Sequence, residues 1–132
     1  MALPLITNAT ARRLFLNRHA LAEPPVGTAS GAALAALIDR IGFVQVDSIT
    51  SVERAHHMIL WSRRGTYKPK SLKRLLESDR ALWEHWTHDA SILPVGLYGH
   101  WKHRFARDRD RLVARWTGWQ RDGFHKKFDA VL

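Results

Sequence analysis

The stretch Gly42 to Ile49, GFVQVDSI, carries an amide and a carboxylate, Gln45 and Asp47, one residue apart in an otherwise apolar run. In an extended strand, successive side chains point to opposite faces, so Val44 and Val46 share one face and Phe43, Gln45 and Asp47 the other. Same-face neighbours two apart lie about 6.5 Å from each other, near enough to serve one small group. A carboxylate so placed can orient and deprotonate a water, while the amide hydrogen-bonds that water or a leaving group. The pair suits hydrolysis at a sugar carbon, where the transition state is oxocarbenium-like and an adjacent anion stabilises the developing charge. The plainer alternative is that Asp47 or Ser48 caps the next helix and Gln45 is a surface residue.

A second set of residues addresses phosphate. Between residues 61 and 76, Arg63, Arg64, Lys68, Lys70, Lys73 and Arg74 occur without an acid, and Trp61 and Tyr67 lie among them. Arg54 and His56 precede this run and extend the candidate nucleic-acid surface. Phosphate contacts of this kind make affinity depend steeply on salt; a solvated helical face is the alternative. The whole chain of 132 residues favours the first, with 21 Lys and Arg against 12 Asp and Glu, a net charge of +9 and a pI near 10.8. Such a field draws polyanions, nucleic acid first among them.

Metal chemistry has little to work with. There are no cysteines, which excludes disulfides and thiolate sites. Of the eight histidines, His85 and His88 would point to opposite faces of a strand, His56 and His57 diverge, and His100 and His103 lack a third ligand at matching spacing. Hydrogen-bonded or phosphate-contacting histidines are expected instead, with no metal. Trp83 and Trp86 should also face oppositely, one packing inward and one outward.

The elements that must position these residues follow from periodicity. Thr7 or Asn8 can cap a helix with an apolar face of Ala11, Leu14, Phe15 and Leu21, broken by the prolines and glycines of AEPPVGTASG. A second helix is expected from Ala32 to Ile41, ended by Gly42, and then the short strand. TSVE at Thr50 to Glu53 has the form of a capping box, which predicts a third helix of about 14 residues to Arg64 with Val52, Ala55 and Ile59 turned inward. A short basic helix near Ser71 to Leu76 and two strands, LWEHWTH and ASILP, come next. Leu97, Trp101 and Phe105, then Leu112 and Trp116, keep helical spacing. The final FHKKFDAVL puts Phe124, Phe128, Val131 and Leu132 on one helical face.

This order predicts an α+β chain, mainly α: a winged helix-turn-helix with a short β-hairpin wing over residues 1–107, then helices over 108–132 leading into a truncated second module. No stretch approaches the roughly 18 apolar residues of a membrane span, and the N-terminus has no signal-like core. The expectation is a soluble, cytoplasmic, nucleoid-associated monomer that binds double-stranded DNA.

Taken together, FVQVDSI, RAHHMILWSRRGTY and LWEHWTHDASILP, in this order and spacing, resemble the winged-helix DNA glycosylases of the AlkZ/YcaQ type, associated with interstrand crosslink repair in bacteria. The likeness extends from about residue 4 to the end. In that family a Gln-apolar-Gln or Gln-apolar-Asp motif carries the catalytic pair, and QVD here has the second form. The resemblance implies that Asp47 activates the water, that Gln45 assists, and that His88 and Asp89 line the same neighbourhood. It also implies excision of alkylated bases such as N7-alkylguanine and unhooking of crosslinks, without metal or cofactor. Family members are much longer, so this chain reads as an N-terminal portion whose activity alone is in question. A winged-helix transcriptional regulator is the alternative, and an interaction module using the C-terminal Trp and Phe residues a third.

Overall fold

The computed structural model of the chain describes residues 5–117. The expected apolar face of FHKKFDAVL lies outside the described residues. The chain divides into two compact units, Met1–Val95 and Gly96–Leu132.

The first unit is a mixed α+β fold, mainly helical, with a small antiparallel sheet. Its first helix, α1 (Asn8–Arg18), starts as expected: Thr7 is extended, and its hydroxyl accepts from the Thr10 amide at 3.2 Å. The expected inward face is corrected by the structure. Leu14, Phe15 and Leu21 are exposed, and no residue of α1 is buried. The helix is tied by its C-terminal carbonyls instead. Arg40 donates to the carbonyl of Asn17 at 2.8 Å and Arg63 to that of His19 at 2.8 Å, two cations meeting the negative end of the helix.

α2 (Gly31–Ile41) has the predicted stripe, burying Leu34, Leu37 and Ile38. Gly42 ends it at φ 89°, a left-handed conformation favouring glycine, with its amide bonded to the carbonyls of Ile38 and Asp39. The strand β1 (Val44–Gln45) follows at once.

α3 (Ala55–Trp61) is seven residues long, half the expected length. The reason is local. Glu53, the acid of the supposed capping box, accepts from the adjacent Arg54 amide at 2.8 Å, and residues 50–54 form an irregular turn closed by a Thr50–Arg54 bridge. Val52 is therefore exposed and outside the core, which α3 enters with His56 and Leu60. α4 (Pro69–Glu77) begins with proline in its first turn, where the missing N–H costs nothing, and buries Leu72 and Leu75.

β2 (Leu82–Trp86) and β3 (Ala90–Pro94) form the expected hairpin around a three-residue loop. The sheet order is β1-β3-β2, antiparallel throughout, with Val44 opposite Ile92 and Gln45 opposite Ser91. Leu34, Ile38, Val44, Leu60, Leu82 and Ile92, each at most 3% exposed, form the centre of a core shared by α2, α3, α4 and the sheet. The run α2, β1, α3, α4, β2, β3 is the order of a winged-helix domain, in which α4 occupies the place of the recognition helix and β2–β3 that of the wing.

The second unit holds α5 (Tyr98–Thr117), which runs unbroken across residues 107 and 108 after a single 3₁₀ turn at Val95–Leu97. Within it Tyr98 packs on Phe105, and the Arg104 guanidinium lies over Trp101. Among the described residues no helix is long and apolar enough to cross a membrane.

Candidate active site

Gln45 is mounted on the sheet. It is paired with Ser91, and the next amide, that of Val46, donates to the Ala90 carbonyl at 2.8 Å as a further bond between these segments. The half-buried side chain reaches toward the hairpin loop, where its Nε2 donates to Asp89 Oδ2 at 3.3 Å. Asp89 Oδ1 accepts from the Ala90 amide at 2.8 Å. The Asp89 carbonyl in turn accepts from the Thr87 amide and from the Ser91 hydroxyl, at 2.9 and 3.0 Å, so the loop Thr87–Asp89 is closed on itself. His88 is exposed at the tip and meets Phe43 edge-on, with ring centroids 5.9 Å apart.

Asp47 lies one residue beyond Val46, where pairing with β3 has stopped. Its Oδ1 accepts from the Ile49 amide at 2.8 Å, an Asx turn that starts the irregular segment. Its own amide faces His56 Nδ1 at 3.5 Å, a long contact. Among the described residues, Oδ2 has no hydrogen-bond partner, and none joins Asp47 to Gln45. The structure therefore brings Gln45 to Asp89 by direct contact and leaves Asp47, two residues on and half-buried, with one oxygen available.

Behind Asp47 sits a pair of histidines. His56 is 6% exposed, and burial first, then the charges of His57 and Arg54, lower its pKa from the ordinary 6.5 despite Glu53 and Asp47. Burial lowers His57 likewise. Burial thus favours the neutral form of both rings. The unfolded chain binds the proton more readily, so stability falls as the pH drops through 6.5 toward the lowered folded values. Burial and the nearby Glu53 push the Tyr67 phenol well above its ordinary 10, so it keeps its proton. The Tyr67 hydroxyl and His57 Nδ1 are hydrogen-bonded at 2.7 Å.

A family model described as DNA glycosylase AlkZ-like matches residues 38–132, most of the chain. The chain belongs to the AlkZ-like DNA glycosylase family. The matched region begins in the last turn of α2 and takes in β1, Asp47, the hairpin and the basic segment. No solved structure matches the chain.

For an AlkZ-like domain, the placement of the eight basic candidates matters as much as their number. Arg54, Lys68, Lys70, Lys73 and Arg74 are exposed and Arg64 is half-buried. His56 and Arg63 are interior. Arg63, 8% exposed, donates to the carbonyls of His19 and Ile59, each at 2.8 Å, and to the Ser62 hydroxyl at 3.1 Å, so its guanidinium is committed to the fold. Lys73 pairs with Glu77 at 3.7 Å and Arg74 with Asp79 at 3.3 Å. Lys68 and Lys70 border an open cleft of about 640 Å³ with Ser30, Thr66 and Ser71, where the starts of α2 and α4 approach. Among the described residues no three His, Cys, Asp or Glu side chains are grouped to hold a metal. Sequence reasoning named Asp89 but missed its bond to Gln45; the clue is that a three-residue hairpin loop returns the chain to the strand that pairs with β1.

Proposed function

We propose that this chain acts as a DNA glycosylase that hydrolyses the N-glycosidic bond of alkylated bases such as N7-alkylguanine, including those within interstrand crosslinks. Membership in the AlkZ-like family supports the reaction class. The observation that carries the assignment of residues is the half-buried Asp47 carboxylate, fixed through Oδ1 by the Ile49 amide with Oδ2 unengaged among the described residues. In this reading Oδ2 accepts a proton from a water, the water oxygen bonds to the sugar C1′, and the C1′–N9 bond breaks with its electron pair passing to the base. An N7-alkylated guanine is cationic and accepts that pair readily. The products are the free base and an abasic site, and the Asp47 charge stabilises the oxocarbenium-like transition state.

DNA is held in this reading by the exposed Arg54, Lys68, Lys70, Lys73 and Arg74, with α4 in the position of a recognition helix. The test is incubation of the chain with duplex DNA containing a single N7-alkylguanine, followed by alkaline cleavage at abasic sites. Asp47→Asn should lower single-turnover excision by about 100-fold or more while leaving DNA binding unchanged. Equal excision by the variant would remove Asp47 from the chemistry, and sequence-selective binding to undamaged DNA without excision would favour a regulator.

A further inference from the structure

Asp89 has both carboxylate oxygens assigned. Oδ1 accepts from the Ala90 amide at 2.8 Å and Oδ2 from Gln45 Nε2 at 3.3 Å, while the loop closure at Thr87 and Ser91 fixes the backbone between them. At the other end, Gln45 is fixed by its pairing with Ser91, and Val46 N donates to Ala90 O. The donor stands on β1 and the acceptor in the loop that leads directly into β3, two residues before the strand partner of Gln45, so the sheet pairing itself brings the two side chains together.

An ionised carboxylate only accepts hydrogen bonds, whereas a primary amide has a donor end and an acceptor end. We propose that Asp89 is a positioning residue that sets the polarity of the Gln45 amide, turning its NH₂ to the hairpin so that the carbonyl Oε1 is the end presented outward. This rests on the catalytic reading of Gln45 and Asp47 given above, and it adds a chemical reason for the motif. A water that donates one hydrogen to Gln45 Oε1 and the other to Asp47 Oδ2 keeps its lone pairs free for the sugar carbon. With the amide reversed, the NH₂ would instead donate to a lone pair of that water and compete with attack.

The same bookkeeping supplies a decisive variant. In Asp89→Asn, the side-chain oxygen must stay on the Ala90 amide, which leaves the new NH₂ facing Gln45. Two donors then meet, and Gln45 is forced to reverse. Excision should fall by about tenfold to a hundredfold, with little change in DNA affinity or melting temperature, because the replacement keeps its shape and its bond to Ala90. Gln45→Glu alone sets two carboxylates against each other and should also be impaired. The two changes combined restore a donor at 89 facing an acceptor at 45, with an acceptor outward, and excision should recover at least tenfold over Asp89→Asn. A merely structural role predicts no such recovery.

A second readout does not depend on catalysis. In ¹⁵N-labelled protein the two Gln45 side-chain amide protons should be dispersed by the bond to Asp89, and should collapse toward free-amide positions in Asp89→Asn. If Asp47→Asn abolishes excision while Asp89→Asn excises like the unaltered chain, the positioning role is overturned and the glycosylase reading stands. If the unaltered chain excises nothing, the glycosylase reading fails by itself, and the Gln45 amide resonances still decide the orientation. Resonances unchanged by Asp89→Asn overturn the proposal whatever the chain does to DNA.

Discussion

α1 and α2 are each eleven residues long, and each begins at a hydroxyl residue in extended conformation. α2 buries Leu34, Leu37 and Ile38 and stands at the centre of the core, whereas α1 buries none of its residues and is tied by arginines reaching in from α2 and from just past α3. The difference shows two separate ways of holding a helix. One removes apolar area from water, without direction; the other depends on a few hydrogen bonds of fixed geometry to carbonyls at the end of the helix.

That contrast is open to direct attack, starting where the effect is greatest. Leu34 is fully buried, and Leu34→Ala should destabilise the domain by about 2–5 kcal/mol in urea unfolding. A loss under about 1 kcal/mol would mean that α2 is not the apolar anchor. Next comes Arg63→Met, which keeps much of the buried stem but abandons the carbonyls of His19 and Ile59. It should cost about 1.5–3 kcal/mol, with amide exchange accelerating first at the end of α1. Thr7→Ala removes the cap on the Thr10 amide and should lower helicity of α1 at a cost of about 1 kcal/mol, with the α2 amides unaffected. Smallest of all, Phe15→Ala should lie within about 0.5 kcal/mol of the parent, since the ring is exposed and touches chiefly His19. A large loss there would show that the apolar side of α1 is covered in solution.

The same contrast explains what was legible in the sequence. Thr7 and Gly42 mark helix ends by chemistry confined to a few neighbouring residues, so the start of α1 and the end of α2 follow from the chain alone. The hairpin was equally plain, because LWEH and ASIL are strand-forming runs around a short polar loop. Periodicity could not say which face of α1 would meet a partner: Leu14 and Phe15 have helical spacing, but the ties at its end are made by Arg40 and Arg63, far away in sequence. TSVE failed for a different reason. A capping box needs its glutamate to reach back three residues, and Glu53 bonds to its immediate neighbour instead. At the candidate site, the extended stretch through Gln45 was readable, while the loss of pairing before Asp47 and the bond to Asp89 depend on where β3 lies.

Hairpin tips are ordinarily among the most permissive places to insert residues. The loop Thr87–Asp89 is not free in that sense, because Asp89 closes the turn and also carries the only side-chain hydrogen bond found on Gln45 among the described residues. Wing length and amide pose are therefore one variable. Lengthening the tip to reach further along a duplex would have to be accompanied by a new acceptor for Gln45, so redesign of this loop for altered DNA contact should begin from residue 89 outward rather than from the apex.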